Sequence, residues 1–106
     1  MKLLLDENLP KKLKSDFPDH LIYTVHDMGW NGRKNGELIQ LLIDNSFDAL
    51  ITFDKNLQFQ QNFKIYSFPI VVLNAHDNTY LTLKNLVSRL KFVLKDPLKP
   101  GITEIS

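Results

Sequence analysis

Lys2-Leu3-Leu4-Leu5-Asp6-Glu7-Asn8-Leu9-Pro10 is the stretch on which the fold turns. Leu3-Leu4-Leu5 is a short continuous apolar run, the pattern of a strand buried on both faces of a parallel sheet. The run stops at two acids, and Asp6 falls where such a strand ends. Open α/β sheets present their functional groups at the carboxyl edge of the strands. A second stretch rhymes with the first. Ala49-Leu50-Ile51-Thr52-Phe53 is apolar and β-favouring, and runs into Asp54-Lys55-Asn56-Leu57. Two such strands in one parallel sheet bring Asp6 and Asp54 to the same edge.

The segments between them alternate in type. Asn8 and Pro10 suit a helix start, with Leu9, Leu13 and Phe17 on its inner face and Pro18 at its end. Leu21 to Val25 predicts a strand, followed by a loop from His26 to Gly36 rich in glycine and asparagine. Asn35 is the expected cap of a helix carrying Leu38, Leu41 and Leu42 inward, stopped at Asn45-Ser46. Leu57 to Phe63 reads as a short helix or turn. Ile70 to Leu73 follows as a strand after Pro69. The spacing of Leu83, Leu86, Val87, Leu90, Val93 and Leu94 predicts one long helix over about 79–95, and Ile102 to Ile105 an edge strand. The order β-α-β-α-β-α-β-α-β predicts a three-layer α/β/α sandwich with a central, mostly parallel sheet.

Composition narrows the class. A chain of 106 residues is one domain, 1–106, able to bury roughly 65% of its unfolded surface. The absence of cysteine excludes disulfides and thiolate metal sites, and fits a reducing compartment. Asp6 and Glu7 end the first apolar run too early for a secretory leader, and no stretch approaches a membrane span. A net charge of +1 leaves any basic surface local.

Asp6, Glu37 and Asp54 all fall at strand ends or helix starts on the one edge. Two like charges 4 Å apart repel by about 1–4 kcal/mol in wet or partly buried surroundings. A hard divalent cation, Mg²⁺ or Mn²⁺, offsets that repulsion and prefers carboxylate oxygens. It lowers the pKa of a bound water and stabilises charge on a phosphoryl oxygen, which is nuclease chemistry. Asn8, Asn56 and Thr52 are neutral oxygen donors nearby. Lys11, Lys12, Arg33 and Lys34 are candidates for holding RNA phosphates, and Trp30 for stacking a base. Each residue has a simpler alternative: helix-entry acids for the carboxylates, a solvated face for the cations, a core plug for Trp30. His20, His26 and His76 show no metal-ligand spacing.

These motifs together resemble a family of small stand-alone PIN-like domains within the PIN nuclease superfamily. The resemblance runs from Met1–Pro10 through Asp27-Met28-Gly29-Trp30, Asn35-Gly36-Glu37-Leu38 and Ile51–Leu57 to Pro69–Leu73, most of the chain to about Asn74. It implies a metal-dependent ribonuclease whose catalytic, metal-binding acids are Asp6, Glu37 and Asp54. It further implies a cytoplasmic toxin of a bacterial toxin–antitoxin pair, with a small antitoxin partner and often a homodimer. The chain departs from the family at Asn56, where many members carry a further acid. Two rivals follow. One is a PIN-like domain that binds RNA or protein without catalysis. The other is a receiver-type phosphoacceptor domain with Asp54 as acceptor, against which stands Asn74-Ala75-His76 where a lysine belongs.

Overall fold

The structure, a computed structural model, describes residues 1–54 and 67–106. Asn56 and the expected helix or turn over Leu57 to Phe63 lie outside the described residues. Five strands form one sheet: β1 Lys2–Leu5, β2 Leu21–Thr24, β3 Ala49–Thr52, β4 Pro69–Leu73 and β5 Gly101–Ile105. Their order is β2-β1-β3-β4-β5, and all four pairings are parallel. The expected mostly parallel sheet is thus wholly parallel, β5 included. The 2-1-3-4-5 order reverses direction between β1 and β3, which makes that junction the topological switch point of a doubly wound sheet.

Side-chain alternation sorts the sheet's two faces. Leu3, Leu5, Ala49, Ile51, Val71 and Leu73 point one way and pack under Leu9, Leu13, Phe17, Leu83, Leu86, Leu90 and Leu94. Leu4, Leu50, Ile70 and Val72 point the other way, against Val25, Leu38, Ile39, Leu42 and Phe47. Helical elements therefore cover both faces, giving three layers.

The covering elements depart from expectation in four places. The first is a 3-10 helix, η1 Lys11–Asp16, rather than an α-helix opening at Asn8. Pro10 is its cap residue without a side-chain bond, and the Leu13 N–H donates three residues back to the Pro10 carbonyl at 3.1 Å. Pro18 pushes Phe17 out of helical conformation (φ −126°, ψ 64°), leaving room for no more than this short turn. In the second, β2 stops at Thr24 and the expected loop opens with a helical turn, α1 Val25–Met28. Thr24 and Asp27 form a reciprocal capping box, and Gly29 closes the turn at φ 72°.

The third departure is small: α2 Asn35–Asp44 is capped at Lys34, so Asn35 is its first helical residue rather than its cap. The fourth is the long C-terminal helix, which divides into α3 Tyr80–Leu83, a 3-10 turn η2 Lys84–Leu86 and α4 Val87–Val93. A 3-10 turn eclipses residues three apart, so Leu83 and Leu86 both reach the sheet before Leu90 and Leu94 continue the stripe. No helix among the described residues is long and apolar enough to cross a membrane.

Candidate functional site

The site begins with register. Leu5 of β1 pairs with Ile51 of β3, and the Asp6 N–H donates to the Ile51 carbonyl at 2.9 Å. One residue further, Asp6 and Thr52 stand side by side at the carboxyl edge, at the switch point of the strand order.

Thr52 is fully buried, the one buried polar residue among those described. Its hydroxyl is used to capacity. It donates to Asp6 Oδ2 at 2.7 Å, and accepts from the Asp54 backbone N–H at 3.1 Å and from Asn8 Nδ2 at 3.4 Å. A hydroxyl has one proton and two lone pairs, so nothing remains for another partner. Asn8 completes the ring by accepting from the Phe53 N–H at 3.1 Å, while its own carbonyl accepts from Asn78 Nδ2 at 2.8 Å. The turn after β1, the turn after β3 and the loop after β4 are thereby tied around one buried hydroxyl. Sequence reading places Thr52 and Asn8 near the site as neutral donors; their fixed work is to hold Asp6 and the backbone of Asp54 in place.

Burial is the main reason the Asp6 carboxyl is held above its ordinary range. The Thr52 hydroxyl and the Glu7 N–H, which donates to Asp6 Oδ1 at 2.8 Å, pull it back down. The negative charges of Glu7 and Asp54 push it up again. Asp6 and Asp54 are therefore close enough to repel, and Asp6 is a partly desolvated carboxylate beside like charges. Glu7 Oε1 accepts from the Gly32 N–H at 2.8 Å and anchors the glycine loop to the end of β1. Gly32 has φ 79°, a conformation open to glycine at little cost.

The remaining candidates are placed as follows. Glu37 lies in the first turn of α2 and pairs with Arg33 at 3.5 Å, both side chains about half exposed. Among the described residues no three of histidine, aspartate and glutamate converge as a metal-binding group, so Glu37 does not join Asp6 and Asp54 in this arrangement. Trp30 packs its ring against Phe47, centroids 5.8 Å apart, on the edge of the core beneath α2. Lys34 is exposed where it caps α2. Lys11 and Lys12 line a cleft of about 980 Å³ beside Asp6 and Glu7, walled by η1 on one side and α1 on the other.

Sequence reasoning missed the far wall of that cleft. Thr24-Val25-His26-Asp27 carries the spacing of a capping box, a signal for a helix start that the glycines downstream obscure. The Lys14 ammonium bridges from η1 to Asp27 Oδ2 at 2.8 Å. That contact and the Thr24 bonds bring the Asp27 carboxyl down to about 2.

The carboxylates suit a hard cation in one respect. Mg²⁺ commonly takes one or two carboxylates and completes its sphere with water and substrate phosphate. Asp6 and Asp54 are such a pair, and the repulsion at a desolvated Asp6 is the kind a cation relieves. Comparison of the chain with protein-family models, curated proteins and solved structures returned no match.

Proposed function

We propose that the chain is a PIN-like, divalent-metal-dependent endoribonuclease, with Asp6 and Asp54 as the principal metal-binding carboxylates. The observation that carries it is the buried Thr52 hydroxyl, which holds the Asp6 carboxylate and the backbone N–H of Asp54 at the switch point where doubly wound sheets bind their ligands, with Asp54 near enough for its charge to raise the Asp6 carboxyl. Mg²⁺ or Mn²⁺ held there supplies Lewis acidity toward a phosphoryl oxygen and acidifies water. Asp6 binds, and its position is fixed by Thr52 and by the Glu7 N–H. Glu37 serves as the third acid once released from Arg33, an exposed pair worth about 0.3–0.5 kcal/mol and so readily parted. Lys11, Lys12 and the freed Arg33 hold substrate phosphates. The partners that accompany this function are RNA, a small antitoxin protein and a second copy of the chain, in the cytoplasm.

A second possibility keeps the fold and loses the chemistry, leaving an RNA- or protein-binding module. The Arg33–Glu37 pair and the lack of a three-acid group among the described residues favour it. The strand order also suits a receiver-type domain, but Asn74 and Ala75 follow β4 where that chemistry needs a lysine.

The deciding experiment incubates a pool of labelled RNAs with the protein and Mn²⁺, beside an Asp6→Asn/Asp54→Asn double variant. Cleavage by the parent alone supports the nuclease. If neither preparation cuts and Mn²⁺ leaves the parent's melting temperature unchanged, the carboxylate–metal proposal is wrong. A bound cation at a hundred times its dissociation constant adds about 2.7 kcal/mol, equivalent to roughly 10–20 °C in a domain of this size.

A further inference from the structure

The C-terminal helical segment carries a charge of its own. From Asn78 to Lys95 the chain holds four of its thirteen Lys and Arg residues and none of its twelve acids, a local charge of +4 against −3 for the rest. Lys84, Arg89, Lys91 and Lys95 are all exposed, and none is ion-paired with a described residue. Two of the four exposed large hydrophobic side chains among the described residues share this stretch: Leu81, 80% exposed, and Phe92, 71% exposed. Leu83, Leu86, Leu90 and Leu94 fill the side toward the sheet. Leu81 and Phe92 therefore stand on the opposite side, about three turns apart, and face away from the sheet.

The spacing on that outer side is regular. Leu81, Asn85, Ser88, Phe92 and Lys95 follow one another in steps of four, three, four and three, the seam of a helix that packs along another helix. All five are exposed. Lys84 and Lys91, one heptad apart, flank the seam on one side and Arg89 flanks it on the other. Lys95 holds its ammonium 5.7 Å from the centre of the Phe92 ring, so positive charge sits directly beside the outer aromatic group.

We infer that the outer side of α3 and α4 is a docking surface for an acidic amphipathic helix of a partner protein. The apolar stripe of that helix covers Leu81 and Phe92, and its carboxylates meet Lys84, Lys91 and Arg89. Asn85 and Ser88, between the apolar pair, are small enough for close approach and polar enough to fix the register of the packed helix. A second copy of the chain sets four cations against four and is repelled. RNA answers the charge and stacks on Phe92, but leaves Leu81 exposed. A membrane surface answers the charge and the apolar pair, but presses Asn85 and Ser88 against lipid without a fixed partner. The surface uses none of the carboxylates at the sheet edge, so the inference stands apart from the nuclease proposal.

The test titrates the full chain, with amide chemical shifts followed by NMR, against a synthetic peptide of three heptads carrying Leu at positions a and d and Glu at e and g. A control peptide carries Lys in place of each Glu. The Glu peptide is expected to shift amides over residues 80–95 and to bind about tenfold or more tightly than the control, less so as salt is added. Phe92→Ala removes an exposed anchor and weakens the Glu peptide by about tenfold or more. Lys84→Glu/Lys91→Glu moves the preference toward the Lys peptide. All three side chains are exposed, so both variants keep the parent's melting temperature within a few degrees. Equal affinity for the two peptides, no binding of either, shifts centred elsewhere, or unchanged affinity in the folded Phe92→Ala protein would each overturn the inference. So would tighter binding through residues 80–95 to vesicles of phosphatidylserine and phosphatidylcholine, or to a labelled RNA, than to the Glu peptide. No cleavage is read, so failure here removes the docking surface and leaves the carboxylate proposal standing.

Discussion

Replacing Thr52 separates the work of its hydroxyl from the work of its methyl group. Thr52→Val keeps the shape and removes the oxygen, so Asp6 Oδ2, the Asp54 N–H and Asn8 Nδ2 each lose a partner in a part-buried site. An unsatisfied buried group costs about 1–3 kcal/mol, but the 3.4 Å contact from Asn8 is long and Asp6 is only partly buried. Counting the Asp54 N–H and the Asp6 oxygen near the lower end of that range, about 1–1.5 kcal/mol each, gives a loss of about 2–3 kcal/mol. Thr52→Ser keeps the three bonds and removes one buried methyl, a loss of about 1 kcal/mol. Urea unfolding at pH 7 measures both. The expected order of stability is parent, then Ser, then Val, with Val lower in melting temperature by roughly 10–20 °C. Removing the hydroxyl also removes one of the two hydrogen bonds that lower the Asp6 carboxyl, so in Thr52→Val that carboxyl titrates higher still. If Val matches the parent, or is more stable than Ser, the hydroxyl does not organise the site and the account of Asp6 given above fails.

Three further outcomes follow from the same contacts. The Asp6 carboxyl is raised above 3.8 by burial, so the folded chain holds that proton more tightly than the unfolded one; the associated stability is full below 3.8 and is lost as pH rises through the folded value. Asp6→Asn is therefore more stable than the parent at pH 7 without cation, a gap that closes toward pH 3 in a series of thermal melts. Asp27 runs the other way: lowered from 3.8 to about 2 by Lys14 and the Thr24 bonds, it contributes stability above pH 4 that is lost as pH falls through 2, and Asp27→Asn flattens the acid limb over that interval. Glu37→Gln leaves the unfolding midpoint within about 0.5 kcal/mol of the parent, because an exposed i,i+4 pair is worth no more; a loss of Mn²⁺-dependent cleavage in that stable variant identifies Glu37 as the third acid, and full cleavage assigns it to the Arg33 pair alone.

Continuous apolar runs ending in acids are legible in the sequence because a strand buried on both faces leaves no other pattern. Leu3 to Leu5 and Ala49 to Thr52 are therefore found from composition alone, and Asp6 and Asp54 follow as edge residues. The leucine stripe from Leu83 to Leu94 is legible for a similar reason, since periodicity records which face is buried. It does not record local winding, and the eclipsed turn at Lys84–Leu86 appears only once both leucines must meet the sheet. Trp30 in its loop gives no sign of which surface it will cover, and its seat against Phe47 depends on a residue seventeen positions away.

What the chain by itself determined is a parallel α/β sheet with an acid at the end of each of two strands, because burial on both faces and alternation of element type are local properties. The strand order was decided in three dimensions. Period and composition say how a strand is buried and are silent on its neighbour, which is chosen by the packing of every crossover at once. The 2-1-3-4-5 order sets β1 beside β3, aligns Asp6 with Thr52, and leaves one buried hydroxyl between the Asp6 carboxylate and the backbone of Asp54.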